Sequence, residues 1–383
     1  MRNLIQLILT LGIVLLASCR HDELVTYMDD QDTHRPSAQR DELLGLYVLN
    51  EGNMGSNKCT LDYLDLSGKD STLHYYRNIY AERNPSTVKE LGDVGNDIGI
   101  YGSKLWIVVN CSNKVEVCNA LTARRLGQVN IDNCRYLAFD GGYAYVSSYA
   151  GPVQVDENCP LGRVYKVDTL TLEKVDSVIV GYQPEEMCVA DGKLYVANSG
   201  GYRVPKYDNR VMEIDLATFS VTREIEVAAN LHRLAADRQG QLWLSSRGDY
   251  FGTPSALYCL RDGKVVNRLD VAVSSMTLVG DSLYCIGSSF SYGEGAFTKS
   301  FGIVDVAQRA LVDTDIFSAP EISAMTQPYG IVVNPIGRDF YLMDAKNFVS
   351  SGELLHFTAD GRFDYRVWTG DIPTRGVFVW RRE

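Results

Sequence analysis

Seven short segments of this sequence share one pattern, in which an apolar residue and an aromatic residue open a run that ends in small or polar residues. Successive aromatic positions are 39 to 59 residues apart. The segments are LYVLNEG (46–52), LWIVVNC (105–111), AYVSSYA (144–150), LYVANSG (194–200), LWLSSRG (242–248), LYCIGSS (283–289) and FYLMDAK (340–346). A period of this length without helical patterning is typical of a β-propeller, in which each repeat forms one blade.

The fourth repeat shows the four strands of a blade, a to d, most clearly. Asp191-Gly192 is typical of a tight hairpin turn between strands a and b. The outer segments VMEIDL and VTREIEV alternate apolar and polar residues, as half-exposed strands do. The predicted strands of this blade span 184–190, 193–198, 210–216 and 219–227.

The two ends of the chain predict how the ring closes. The first repeat begins directly with strand b at Leu46, whereas residues 373–380 have the pattern of a strand a without a blade. Pairing 373–380 with 46–50 completes the first blade and leaves no open sheet edge. The sequence therefore predicts an all-β, seven-bladed propeller over residues 45–383. A solenoid or two β-sandwiches would leave 373–380 unpaired.

The N-terminal residues have a different composition and predict export and lipidation. The apolar run 4–16 is too short to span a bilayer and is typical of a signal peptide. Leu16-Ala17-Ser18-Cys19 then matches a lipobox, so residues 1–18 are predicted to be removed and Cys19 to carry acyl chains such as palmitate. The alternative is an unmodified cysteine after an ordinary signal peptide. Residues 19–44 are polar and charged and are predicted to be a flexible tether. We expect a lipid-anchored outer-membrane protein that faces the cell surface.

Composition and missing motifs exclude several functions. The formal net charge of −11 argues against nucleic-acid binding, and five histidines are too few for a His-rich metal site. The sequence contains no G-x-S-x-G, H-E-x-x-H, P-loop or G-x-G-x-x-G motif, and we predict neither an enzyme nor a bound cofactor. The remaining enzyme hypothesis is a metal-dependent hydrolase or lyase. Its candidate metal ligands are Asn96, Asp97, Glu185 and Glu186.

The start of each strand a places two residues at one end of the central channel, which we call the mouth. The pairs are Asn96 and Asp97, Arg135 and Tyr136, Glu185 and Glu186, His232 and Arg233, Ser274 and Ser275, Tyr329 and Gly330, and Thr374 and Arg375. Long b–c loops share this face and supply further candidates. These candidate ligand-binding residues are Asn53, Asn110, Tyr149, Asn198, Tyr202, Arg247 and Tyr292, with Glu51 and Tyr250 beside them. Because loops on a rigid scaffold carry function, we predict a ligand-binding surface here. The alternative is a solvated rim whose charges pair with each other.

Two stretches carry a family resemblance. LYVANSGGYRV followed by RVMEIDLATFSVTREIEV resembles the YVTN repeat, which indicates a fold only. The first blade, LYVLNEGNMGSNKCTLDYLDL, resembles the opening of the propeller lipoproteins of gut Bacteroidetes, the BtuG family of vitamin B12-capturing proteins. Asp22 and Glu23 behind Cys19 resemble the acidic export signal of surface lipoproteins in that phylum. The resemblance covers the lipobox, the tether and all seven blades.

This resemblance implies a lipoprotein that captures cobalamin or a related corrinoid and passes it to a TonB-dependent outer-membrane transporter of the BtuB type. Cobalamin would be a transported ligand rather than a cofactor. His232 is a candidate for coordinating cobalt, although a rim histidine bonded to solvent is the simpler interpretation. A glycan or a protein partner remains an alternative, because Tyr, Asn, Ser and Arg suit those ligands equally. A disulfide among Cys111, Cys134 and Cys159 is a further prediction.

Overall fold

Seven antiparallel β-sheets form the blades of a ring in the computed structural model, which describes residues 30–34, 43–68, 72–87, 90–291 and 296–381. Blades two to seven each contain four consecutive strands, a to d, and blade one contains five. The predicted seven-bladed propeller is therefore confirmed. No helix among these residues is both long and apolar enough to cross a membrane.

The strands of blades two to four are Gly95–Tyr101, Lys104–Val109, Lys114–Asn119 and Arg125–Asn130; Cys134–Asp140, Tyr143–Ser148, Arg163–Asp168 and Lys174–Ile179; and Pro184–Ala190, Lys193–Asn198, Arg210–Asp215 and Ser220–Glu226. Those of blades five to seven are Leu231–Ala236, Leu242–Ser246, Ala256–Arg261 and Lys264–Leu269; Ser275–Val279, Ser282–Ser291, Ala296–Asp305 and Ala310–Val312; and Pro328–Val333, Phe340–Asp344, Glu353–Phe357 and Phe363–Trp368. Two short helices of the described residues, Ile79–Arg83 and Pro320–Ala324, follow blades one and six.

Blade one closes the ring with both ends of the described chain. Its strands, from the channel outwards, are Pro373–Trp380, Leu43–Asn50, Thr60–Asp65, Thr72–Tyr76 and Asp30–His34. The C-terminal strand pairs antiparallel with Leu43–Asn50, and Leu49 lies opposite Arg375. This is the closure that the sequence predicted, and it brings Arg375 to the mouth.

The fifth strand of blade one lies within the predicted tether. Asp30–His34 pairs with Thr72–Tyr76, and the next strand begins at Leu43 rather than at Leu46. The signal peptide and Cys19 lie outside the described residues, so lipidation stays a prediction.

The hairpin of blade four follows its sequence closely. Asp191 and Gly192 have φ angles of 50° and 73°, which is the left-handed backbone that a type I′ turn requires. Aspartate tolerates this conformation and glycine adopts it freely, so the Asp-Gly pair fixes the register of Pro184–Ala190 against Lys193–Asn198.

The hydrophobic core is divided into seven clusters, one in each gap between neighbouring blades. The repeated aromatic residue of each blade packs into one of these gaps. These residues are Tyr47, Trp106, Tyr145, Tyr195, Trp243, Tyr284 and Tyr341. Burying such a ring removes about 150–250 Å² from water. The sequence period is thus the period of the blade interfaces.

The eight cysteines of the described residues are all free, and the predicted disulfide is wrong. Cys134 is fully buried, with its thiol near the Val109 carbonyl. The Cys111 thiol contacts Asn110, and the Cys159 thiol lies 3.4 Å from Gln183 Nε2. The Cys134 thiol therefore contacts blade two, the Cys159 thiol contacts the residue before strand a of blade four, and none of the three pairs with another cysteine.

Candidate functional site

Strand a of blade four begins with two glutamates that have different partners. Glu185 is 1% exposed and contacts two arginines of the neighbouring blades. Its carboxylate is 3.3 Å from Arg135 Nη2 and 3.3 Å from Arg247 Nη1, and it accepts a 2.6 Å hydrogen bond from the Tyr149 hydroxyl. Blades three, four and five are therefore joined through one buried carboxylate.

Glu186 joins blade four to the opposite side of the ring. It accepts a hydrogen bond from Arg375, which lies on the closing strand of blade one. Its other partners are Arg233 Nη1 at 3.8 Å and the Leu234 backbone N–H at 3.0 Å. Arg375 Nε is also 3.3 Å from Asp97 Oδ1 of blade two. The Arg375 side chain thus spans the channel.

Tyr136 lies at the centre of this network. Its hydroxyl is 3.0 Å from His232 Nε2 and 3.3 Å from Arg233 Nη1. The guanidinium carbons of Arg135, Arg233 and Arg375 lie 5.8, 5.5 and 5.4 Å from the centre of its ring. At these distances the face of the ring attracts cations, so the ring helps to hold three guanidinium groups together.

Blades one and seven meet at a second carboxyl–tyrosine pair. The Tyr329 hydroxyl donates a 2.6 Å hydrogen bond to Glu51, and Phe348 packs edge-on against the Tyr329 ring at 5.1 Å. Burial raises the pKa of Glu51 despite this hydrogen bond. The bond therefore links the b–c loop of blade one to strand a of blade seven.

The surroundings shift several ionisation equilibria in the mouth. Burial alone would raise the pKa of Glu185, but Arg135 and Arg247 hold it below its usual value. Burial raises the pKa of Asp97. Burial and then the nearby arginines lower the pKa of His232 well below its usual value, so its imidazole is neutral at pH 7. The mouth is therefore a fixed array of cations, anions and one neutral histidine.

The charges of the mouth pair with each other, as the alternative interpretation of the sequence expected. No group of three or more His, Cys, Asp or Glu in the described part of the chain is arranged to hold a metal ion. Two of the candidate metal ligands, Asp97 and Glu186, both contact the guanidinium of Arg375.

A family model described as a domain of unknown function, DUF5074, matches residues 44–353. The chain belongs to the DUF5074 family. The match ends before the closing strand that supplies Arg375. No curated protein matches this DUF5074 sequence.

Several solved structures share the fold of this DUF5074 protein. A hypothetical selenium-binding protein from Sulfolobus tokodaii is 12% identical with a TM-score of 0.61, covering 88% of this chain and 94% of its own. A quinonprotein alcohol dehydrogenase-like protein from Bacteroides thetaiotaomicron is 14% identical with a TM-score of 0.59, covering 88% and 78%. A putative 6-phosphogluconolactonase from Bacteroides fragilis is 13% identical with a TM-score of 0.59, covering 90% and 99%. At these identities the likeness shows the fold alone.

Three b–c loops of the DUF5074 protein form a continuous wall beside the mouth. The loops are 149–162, 199–209 and 247–255, from blades three, four and five. The Asp156 N–H donates to the Tyr202 carbonyl at 3.0 Å, and the Tyr207 hydroxyl reaches the Asp249 carbonyl at 3.5 Å. We call these linked loops the loop wall.

The loop wall presents apolar side chains to solvent. Val155, Val204 and Phe251 are 72%, 40% and 77% exposed. The backbone of Phe251 lies in an ordered turn, because Asp249 Oδ1 accepts hydrogen bonds from the N–H groups of residues 251, 252 and 253 at 2.8–2.9 Å. An aromatic side chain on an ordered turn has only two χ angles to fix, so it loses little conformational entropy on binding a ligand.

Most of the predicted site residues are brought together by the fold. Those in the connected network or directly beside it are Asn96, Asp97, Arg135, Tyr136, Tyr149, Glu185, Glu186, Tyr202, His232, Arg233, Arg247, Tyr329 and Arg375. Asn96 donates to the Arg135 carbonyl, and the rings of Tyr149 and Tyr202 are 6.2 Å apart.

Other predicted site residues lie elsewhere. Asn110 and Asn198 are buried and donate to backbone carbonyls, Asn110 to Cys134 of the next blade and Asn198 to Arg210 of its own, so they stabilise the backbone rather than line the mouth. Ser275 is 1% exposed, and Asn53 lies in the first b–c loop, where its carbonyl accepts from the Ser56 N–H. Tyr292 lies outside the described residues.

The sequence analysis missed two features of the site. Ser199 directly follows strand b of blade four, and its hydroxyl is 3.3 Å from Glu185 Oε1. Phe251 was also not predicted as a ligand-binding residue, although the turn Asp249-Tyr-Phe-Gly252 indicates a capped loop that exposes its central residues.

Proposed function

We propose that this DUF5074 protein is a cell-surface binding protein that captures cobalamin or a related corrinoid and passes it to a TonB-dependent outer-membrane transporter. The observation that carries the proposal is the convergence, on one face of the ring, of the paired mouth residues and the loop wall with its exposed Phe251. The choice of a corrinoid rests on the resemblance of the first blade to the BtuG family, and the cell-surface location rests on the lipobox at Cys19.

The chemistry of the face suits a broad ligand fringed with amides. Partly exposed Tyr202 and exposed Phe251 offer flat apolar contact, and Arg247 offers a guanidinium that is partly open to solvent. Because ion pairs hold the arginines in place, the ligand would meet groups that are already ordered, which lowers the entropy lost on binding.

We propose that the protein binds its ligand without catalysing a reaction. The acidic and basic groups of the mouth are engaged in ion pairs, and His232 is bonded to Tyr136. A general acid or base has to reach the atom whose proton it transfers, and these groups face each other. Their arrangement supports ligand positioning rather than proton transfer.

Calorimetric titration of cyanocobalamin into residues 20–383 tests the proposal, with a maltooligosaccharide and Ca²⁺ as controls. We expect saturable one-to-one binding in the nanomolar range or tighter. An absence of heat, together with an unchanged visible spectrum at high micromolar cyanocobalamin, would reject corrinoid capture. A glycan or protein partner would then be sought by pull-down.

Substitutions on the loop wall locate the binding face. Phe251→Ala and Tyr202→Ala should each weaken cyanocobalamin binding by about tenfold or more, because buried aromatic anchors commonly contribute more than about 1 kcal/mol. Leu170→Ala is the matched control, since Leu170 is 83% exposed in the c–d turn of blade three on the opposite face. Equal affinities for all three variants would place the ligand elsewhere.

A further inference from the structure

The hydrogen-bond pattern around Tyr136 determines the tautomer of His232. Arg233 Nη1 is always a donor and reaches the Tyr136 oxygen at 3.3 Å. In the described part of the chain the Tyr136 hydroxyl hydrogen has one acceptor in reach, His232 Nε2 at 3.0 Å. The neutral imidazole therefore accepts at Nε2 and carries its hydrogen on Nδ1.

This arrangement leaves His232 Nδ1–H as an unused donor. His232 is 5% exposed, and its Nδ1 has no hydrogen-bond partner among the described residues. Arg135 Nε is likewise buried without a hydrogen-bond acceptor, and Arg375 Nε, although 3.3 Å from Asp97 Oδ1, is not aligned with it for a hydrogen bond. Buried donors are nearly always satisfied in proteins, so three of them around one tyrosine ring indicate a group that completes the site.

The charge of the mouth indicates the nature of that group. Arg135, Arg233, Arg247 and Arg375 face three carboxylates, and each of the two glutamates is shared between two arginines. The third carboxylate, Asp97, contacts Arg375. The fourth carboxyl group, Glu51, accepts a hydrogen bond from the Tyr329 hydroxyl, and burial raises its pKa. The unused groups are donors only, and four guanidinium groups outnumber the three carboxylates that pair with them, so the site suits an anion.

We propose that His232 Nδ1–H, Arg135 and Arg375 form a subsite for one oxyanion group of the ligand, with Tyr136 holding the histidine in the donating tautomer. A phosphate diester has the required single negative charge and acceptor oxygens. The inference deepens the proposed function, because a corrinoid with a complete nucleotide loop carries one such diester. Free inorganic phosphate presents the same chemistry without the corrinoid.

The first test compares cyanocobalamin with dicyanocobinamide, which lacks the nucleotide loop and its phosphate. We expect wild-type protein to bind cyanocobalamin at least about tenfold more tightly. His232→Leu removes the donor and should reduce this preference to about threefold or less. His232→Asn places an amide N–H near the position of Nδ1 and should retain most of the preference. Near-ultraviolet circular dichroism checks that each variant is folded, and Arg238→Ala, an exposed residue on the opposite face, is the control.

The second test does not depend on corrinoid capture. Thermal unfolding is measured in inorganic phosphate and in chloride at matched ionic strength. Phosphate should raise the wild-type melting temperature saturably by about 1–3 °C and leave that of His232→Leu unchanged. Tyr136→Phe, which keeps the ring beside the arginines, should give an intermediate rise in melting temperature. This variant replaces His232→Leu in the test if His232→Leu does not fold.

The two tests separate failure of the subsite from failure of the function. If neither corrinoid binds but phosphate protects the wild type and not His232→Leu, the oxyanion subsite stands and corrinoid capture fails. If both corrinoids bind equally and phosphate gives no saturable protection, the subsite is overturned and corrinoid capture stands.

Discussion

Arg375 should contribute to stability through its contacts across the channel. It lies on the strand that closes the ring and contacts Asp97 of blade two and Glu186 of blade four. The three side chains are only 12–16% exposed, so solvent screens their interactions weakly. Arg375→Met keeps most of the apolar stem and removes the charge, which leaves two carboxylates poorly compensated.

The expected loss follows from what remains around those carboxylates. Breaking a buried ion pair by removing one partner typically costs about 3–5 kcal/mol. Glu186 retains the Leu234 N–H at 3.0 Å and Arg233 at 3.8 Å, so we expect the lower end, about 3 kcal/mol. Glu186→Gln removes the other partner, and the double variant should be less destabilised than the sum of the two by about 1–3 kcal/mol.

Urea unfolding followed by tryptophan fluorescence and by circular dichroism measures these free energies, and coincidence of the two curves checks two-state behaviour. Arg366→Met is the matched control, because Arg366 is 45% exposed and pairs with Glu353 at 3.7 Å on blade seven. The control should lose less than about 1 kcal/mol. An Arg375→Met loss equal to that of the control, or additive losses in the double variant, would refute a stabilising role for the contacts across the channel.

Two further predictions concern other parts of the ring. Burial by itself disfavours the charged form of His356, but hydrogen bonds to Asp364 at 2.9 Å and Asp339 at 3.2 Å raise its pKa. Its contribution to the unfolding free energy is complete below about pH 6.5 and is lost as pH rises through the folded-state pKa, so His356→Gln should flatten this part of the stability–pH curve measured by urea unfolding. Asp249→Ala removes the acceptor that caps the Phe251 turn and should speed limited proteolysis in 247–255 at neutral pH, with a nearly unchanged melting temperature. Since backbone hydrogen bonds lower the pKa of Asp249 to about 2, protection of the wild-type loop should persist down to about pH 3.

The fold could be predicted because each blade repeats the same sequence pattern and the same packing between blades. One aromatic residue per repeat fills one gap between blades, so its spacing reports the architecture directly. The closing strand could be predicted because residues 373–380 have a strand pattern but no blade of their own, and the first repeat lacks its inner strand. The strand Asp30–His34 was missed because DQDTH is polar throughout, and its pairing with Thr72–Tyr76 uses backbone hydrogen bonds that carry no side-chain pattern.

The sequence predicted where the site residues lie in the ring, but not which residues they contact. Aligning the starts of the inner strands gave the mouth residues, since every blade presents that point to the channel. It did not give their partners: Glu186 and Arg375 are 189 residues apart and meet only across the completed ring. Nor does sequence distinguish an asparagine open to a ligand from Asn198, whose amide donates to a backbone carbonyl inside its blade.

The position of Arg375 has a thermodynamic consequence for the proposed function. The strand Pro373–Trp380 both closes the ring and supplies a guanidinium to the mouth. A ligand that binds the assembled mouth binds the closed ring better than any form in which this strand has detached, so binding must stabilise closure by mass action. The same linkage works in reverse, because a weakened closing strand lowers the fraction of protein with a complete mouth and therefore the apparent affinity. Under the proposed function, closure of the ring and ligand capture are therefore coupled equilibria, and Arg375 takes part in both.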